Sequence, residues 1–194
     1  DGDHMIFRNS SPLDYLETIN WLLSIGLKVV RIGHPNMTPI PECKGLIDLT
    51  QIKRPGEVDI FLCSKAQFYY GSCSGPFALA THFGTKSLLT NCIEYGVNLP
   101  TALLQMRPIF DSSLGRVLSV EEIENLGLDT IESAQPFLKR GLKPLSCSSD
   151  DHLNSVKDMI EFISGGKICE MNMEMKCKTG RRDFFSSFTR ESLK

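Results

Sequence analysis

Apolar residues recur at helical spacing in the first part of the chain, with Tyr15, Leu16, Ile19, Leu22 and Leu23 on one stripe. Ser11-Pro12-Leu13-Asp14 stands just ahead of them. It offers an N-cap hydroxyl, a proline at the first helical position and an acid in the first turn, and Gly26 marks the stop. Leu27-Lys28-Val29-Val30-Arg31-Ile32 follows at once as a β-branched, largely apolar run closing on Gly33, which predicts a strand over 27–32. A helix feeding directly into an apolar strand is the pattern of a parallel sheet covered on both faces.

The same rhythm continues. Residues 34–41 carry Pro35, Pro39 and Pro41 and read as loop. Short apolar runs predict strands near 46–49, 59–63, 67–70 and 87–90, and a helix over 76–83 ends at Gly84. This succession predicts an α/β fold, a Rossmann-like layer sandwich with a mainly parallel sheet. Beyond Asn91 the pattern loosens into a loop through 96–100 and a short extended piece at 106–110. Ser119-Val120-Glu121-Glu122 is a capping box opening a short helix. A longer helix is expected over 151–163, with Leu153, Val156, Ile160 and Ile163 on one face and Gly165-Gly166 as its stop. Residues 1–164 thus read as one domain, and 165–194, without clear period, as a weakly ordered tail.

Composition narrows the function classes. With 41% hydrophobic residues over 194 positions the chain can bury one sizeable core. A net charge of -2 and no basic stripe argue against a nucleic-acid partner. The apolar runs are too short to span a bilayer and no signal peptide opens the chain, so a soluble, cytoplasmic protein without a transmembrane segment is expected. Seven cysteines without a C-x-x-C pair fit reduced thiols, and four dispersed histidines give no metal-site pattern. Neither a metal nor a bound cofactor is expected.

Candidate chemistry concentrates at Gly71-Ser72-Cys73-Ser74-Gly75, which follows a strand and opens a helix. Small residues let the backbone turn sharply, and first-turn N–H groups with the hydroxyls of Ser72 and Ser74 suit a phosphate. A tight turn that only caps the helix is the alternative. The segment also has the form G-x-C-x-G, but no histidine is obviously placed to activate Cys73: His82 lies in the adjoining helix and His152 in a helix that looks surface-exposed. Arg31, near a strand end, either neutralises a diphosphate or pairs with Asp48 or Asp59. Arg8, His34 and Asn91 are further candidates for the same cleft, each also explicable as a loop or turn residue. Glu121 and Glu122 are best explained by helix capping. No catalytic base is assigned.

Taken together, Arg8-Asn9-Ser10, Val29-Val30-Arg31-Ile32-Gly33, Asp59-Ile60-Phe61-Leu62 and Tyr70-Gly71-Ser72-Cys73-Ser74-Gly75 resemble a bacterial glycosyltransferase family associated with surface polysaccharide synthesis. Phe83-Gly84-Thr85, Leu89-Thr90-Asn91, Gly115-Arg116-Val117-Leu118-Ser119 and the late helix fit the same pattern, so the resemblance covers about residues 4 to 163. It implies the C-terminal half of a GT-B architecture, with Arg31, Ser72, Ser74 and Gly75 on the donor diphosphate. A nucleotide-diphosphate sugar would be the substrate, a hydroxyl group the acceptor, and a missing N-terminal GT-B domain the partner. A sugar-nucleotide epimerase on the same fold, or a non-catalytic nucleotide- or anion-binding module, are the competing expectations.

Overall fold

The structure, a computed structural model, describes residues 10–93, 102–129 and 135–165. The described residues open on a 3-10 turn, Pro12–Tyr15, in which Leu13 N–H donates to the Ser11 hydroxyl, and run straight into α1 (Leu16–Ser24). Gly26, at φ +87°, ends it as expected, because the left-handed backbone there suits a residue without Cβ. Strands β1 (Val30–Arg31) and β2 (Ile47–Asp48) then pair in parallel as a two-stranded sheet. After α2 (Gly56–Lys65) come β3 (Tyr69–Gly71), α3 (Gly75–His82), β4 (Ser87–Cys92) and β5 (Ala102–Met106). These three strands form a second, wholly parallel sheet in the order β3-β4-β5.

The strand expected over 59–63 is a helix. A short apolar run cannot by itself distinguish a strand from a buried helical segment, and the flanking charges decide it. Glu57 and Asp59 lie in the first turn of α2 and Lys65 in the last, the polarity that favours the helix dipole. Arg54 clamps that first turn through a forked contact with Asp59, at 2.7 and 3.1 Å. Of the run, Cys63 is buried while Ile60 and Phe61 remain exposed.

Side chains of the three-stranded sheet alternate between two cores. Leu88 and Leu103, flanked by Phe68 and Tyr70, meet Leu22 of α1 together with Val156, Met159 and Phe162 of α6 (Ser149–Ile163). On the opposite face Tyr69, Leu89, Ala102 and Leu104 meet Phe77 of α3. Helices therefore cover both faces, as the pattern predicts. The buried stripe of α6 differs from the expected one. His152, Val156, Met159 and Phe162 are buried, whereas Ile160 and Ile163 flank them partly exposed. His152 is fully buried rather than at the surface.

The sheet expected to be mainly parallel is joined by a third, antiparallel one. Strands β6 (Ile109–Asp111), β7 (Arg116–Val117) and β8 (Leu142–Pro144) are antiparallel in the order β7-β6-β8. With α4 (Val120–Asn125) and α5 (Gln135–Leu138) they enclose their own core of Ile109, Leu118, Ile123, Leu128, Phe137 and Leu142. The capping box of Ser119 and Glu122 is present at α4. The chain is thus a mixed α/β protein, mostly parallel, with one antiparallel sheet appended. Among the described residues no helix is long and apolar enough to cross a membrane. The loop expected through 96–100 and all of the expected tail beyond Gly165 lie outside the described residues.

Candidate functional site

In an open parallel α/β sheet the edge at the carboxyl ends of the strands is where ligands bind. Here β3 leaves that edge through Gly71-Ser72-Cys73-Ser74 and α3 begins. The Tyr69 hydroxyl donates to the Ser72 carbonyl at 3.2 Å and lies 3.0 Å from the Ser74 hydroxyl. With its only proton on that carbonyl, the Tyr69 oxygen accepts from Ser74. Burial pushes the Tyr69 phenol up to about 12, so it keeps that proton at neutral pH. Gly71 makes room for the arrangement, since a Cβ there would stand 2.8 Å from the Tyr69 oxygen.

The consequence falls on α3. Ser74 occupies the N-cap position, but its side chain is turned back to Tyr69 and makes no cap hydrogen bond. The first-turn N–H groups of Gly75 and Phe77 are therefore uncapped, and Pro76 has none to offer. Ser74 and Gly75 are exposed, and a Cβ on Gly75 would meet nothing within 4 Å. Cys73 is half-buried against Phe77, Leu89 and Ala102, a packing role rather than that of an exposed nucleophile.

The neighbouring strand ends in a buried polar node. Asn91 has φ +56°, a left-handed conformation that asparagine tolerates better than most residues, and it is only 3% exposed. Its Nδ2 donates to the Ser10 hydroxyl at 2.9 Å, and its Oδ1 accepts from Cys147 N–H at 2.9 Å. Its carbonyl accepts from Arg107 Nε at 3.0 Å. One residue thus ties together Ser10, β4, the segment after β5 and the approach to α6. Beside it Thr90 and Tyr15 share a 2.5 Å hydroxyl hydrogen bond, and the Tyr15 ring stacks on His152 with centroids 4.5 Å apart. Burial raises the Tyr15 phenol, lowers His152 and the buried Arg107, and pushes the Cys147 thiol up to about 11.

Arg31 takes the second of the two roles open to it. Its Nη1 meets Asp48 at 2.8 Å and its Nη2 donates to the Thr38 carbonyl at 2.7 Å, leaving the side chain 11% exposed. Burial works against the Asp48 charge, but hydrogen bonds from Thr50 and Arg31 outweigh it and hold the carboxyl below its usual range. Asp59, the other carboxylate considered for Arg31, belongs to Arg54. His34 is exposed in a turn, where its Nδ1 accepts from Asn36 N–H at 3.1 Å. Arg31 and His34 accompany the β1–β2 pair, a different sheet from the one that carries Ser72, Ser74, Gly75 and Asn91. Arg8 lies outside the described residues.

Sequence reasoning misses Tyr69, Tyr15, Arg107 and His152 as members of this edge. Tyr69 is legible as a strand residue and Tyr15 as part of a helical stripe, but nothing local marks either for polar work. The opposite, amino-terminal edge of β3 and β4 carries a cavity of about 290 Å³ lined by Gln67, Lys86, Phe162, Ile163 and Ser164. The Lys86 ammonium there lies 5.3 Å from the centre of the Phe162 ring. Comparison with protein-family models, with curated proteins and with solved structures gives no match.

Proposed function

We propose that this chain is the donor-binding half of a glycosyltransferase, moving a sugar from a nucleotide-diphosphate donor to a hydroxyl acceptor in surface polysaccharide synthesis. One observation carries the reading: α3 begins at the carboxyl edge of the parallel sheet with its Ser74 side chain withdrawn and its first-turn N–H groups uncapped. Such a helix start concentrates about half a positive charge where a phosphate can reach it. The Ser72 and Ser74 segment and the space in front of Gly75 leave that position open to a ligand. Charge develops on the leaving diphosphate as the glycosidic bond breaks, and oriented N–H groups stabilise it without having to reorganise. Arg31 contributes less than the resemblance implies, because Asp48 already offsets its charge. The acceptor side and the base that takes the acceptor's proton are assigned to the partner domain.

Titration calorimetry with nucleoside diphosphates tests the reading. Gly75→Asp places a carboxylate on the proposed phosphate position, where there is room for it. An acid in the first turn stabilises a helix that only has to be capped, so the fold is kept or strengthened. An anion site instead loses at least about tenfold in affinity, equivalent to ~1.4 kcal/mol. Arg31→Ala is expected to leave affinity within a few-fold. Undiminished binding by Gly75→Asp, or no binding of any nucleoside diphosphate by the unaltered chain, overturns the proposal.

A further inference from the structure

The hydrogen-bond pattern at Asn91 determines which nitrogen of His152 carries the proton. Asn91 Oδ1 accepts from the Cys147 backbone N–H, which fixes the amide's orientation, so the nitrogen facing His152 Nε2 at 3.4 Å is a donor. Nε2 must then be the acceptor, and the neutral ring holds its proton on Nδ1. That Nδ1 is buried without a hydrogen-bond partner, in a residue with no solvent exposure. The ring is also sandwiched, with Tyr15 stacked on it at 4.5 Å and Tyr70 edge-on at 6.3 Å.

We propose that His152 is a proton-sensitive latch: a proton on Nε2 sets donor against donor at Asn91 and releases the Ser10–Tyr15 segment from the carboxyl edge of β4. The amide cannot simply flip to meet the new N–H. Flipping would turn its NH₂ group onto the Cys147 N–H, exchanging one donor clash for another. The node opens instead, and Tyr15, held at Thr90 and on the imidazole face, leaves with it.

The charged and titratable groups around the ring come from every element packed on it. Asp14 and Tyr15 belong to the 3-10 turn, Tyr70 to β3, Arg107 to the segment after β5, and Cys147 and Asp151 to the start of α6. Burial comes first and opposes the imidazolium, and Arg107 adds to that, while Asp14 and Asp151 favour it. The net direction is down from 6.5. The unfolded chain therefore takes up the proton first as pH falls. The latch is fully closed above about 6.5 and loses strength progressively below it, down to the depressed folded value. The inference concerns the fold of this edge and stands apart from the nucleotide reading.

The test uses the unaltered chain and nuclear magnetic resonance. Long-range ¹H–¹⁵N correlation at pH 7.5 is expected to show the Nδ1–H tautomer of His152. On acidification towards pH 5 the Asn91 side-chain amide signals should move in step with the ring, and the hydrogen-exchange protection of residues 13–15 and 147–151, corrected for the slower intrinsic exchange in acid, should fall. The melting temperature should fall by a few degrees over the same range. His152→Gln offers Asn91 a non-titrating acceptor at the same reach and should flatten that fall. An Nε2–H tautomer, a ring that titrates while the Asn91 amide stays put, or an undiminished acid fall in His152→Gln would each overturn the proposal. If His152→Gln does not fold, the two spectroscopic readouts on the unaltered chain decide it.

Discussion

Two helices, α3 and α6, begin near the same edge of the parallel sheet, and their starts are built in opposite ways. At α6 the Ser148 hydroxyl accepts from Asp151 N–H at 3.2 Å, and the Asp151 carboxylate accepts from Ser148 N–H at 2.8 Å. The capping box is complete, and two acids, Asp150 and Asp151, lie in the first turn. Nothing about that terminus invites an anion. At α3 the N-cap serine is pulled away by Tyr69, the first turn has no acid, and the start is exposed. A closed cap belongs to a helix whose work is packing, and α6 contributes Val156, Met159 and Phe162 to the main core. An open cap leaves donors to be satisfied by something outside the helix.

The contrast can be broken most forcefully at α6. Met159 is completely buried between the sheet and α1. Met159→Ala is expected to lower unfolding free energy by ~2–5 kcal/mol, the range for emptying a core position of this size, while folded protein keeps its affinity for nucleoside diphosphates. Chemical denaturation and calorimetry together check both halves. A variant that stays as stable as the parent would mean that α6 is not the main structural helix.

A smaller effect separates the two caps directly. Ser148→Ala should cost ~1 kcal/mol, as loss of a working N-cap does. Ser74→Ala removes no cap bond and should cost clearly less in the same denaturant titration. Equal losses at the two positions would erase the distinction between the helix starts.

The smallest expected effect lies outside both helices and gauges how little an exposed cap charge matters. Arg116 holds Glu122 at 2.6 Å, and that contact, then the Ser119 N–H, brings the Glu122 carboxyl down to about 2. Its stabilisation is present above the ordinary value of 4.5 and disappears as pH falls towards 2. Glu122→Gln should therefore trim the loss of stability between those pH values only slightly, because the pair is solvent-exposed and screened. Melting curves across that range, in low and high salt, check it. A large change would show that the appended antiparallel unit depends on this one pair.

Much of the frame is legible in the hydrophobic pattern and the caps. The strands around 30–31, 47–48, 69–71 and 87–92 fall within or overlap the expected runs, and α3 lies where the Pro76 start and Gly84 stop put it. Strand β5, Ala102–Met106, escapes the pattern because Ala-Leu-Leu-Gln-Met has no β-branched residue and no apolar–polar alternation. The antiparallel sheet escapes it because two- and three-residue strands carry too few positions for a period to emerge. In the candidate site, Ser72, Ser74 and Gly75 are legible because strand, small-residue turn and helix are contiguous in the chain. Arg31 reads as a strand-end cation with two fates, and only the pairing of β1 with β2, which sets Arg31 against Asp48, chooses between them.

By itself the sequence determined what short-range physics controls: the caps at Ser11 and Ser119, the glycine stops, and a helix–strand alternation that favours a parallel sheet. These depend on hydrogen bonds and backbone preferences reaching no more than a few residues. The tertiary structure decided everything that rests on partners far apart in the chain. Asn91 meets Ser10 and Cys147, 81 and 56 residues away, and His152 is buried among groups from several elements. No local pattern encodes such a node. It forms only when the sheet brings the strand ends to one edge, and there the requirement that buried polar groups find partners selects which residues meet.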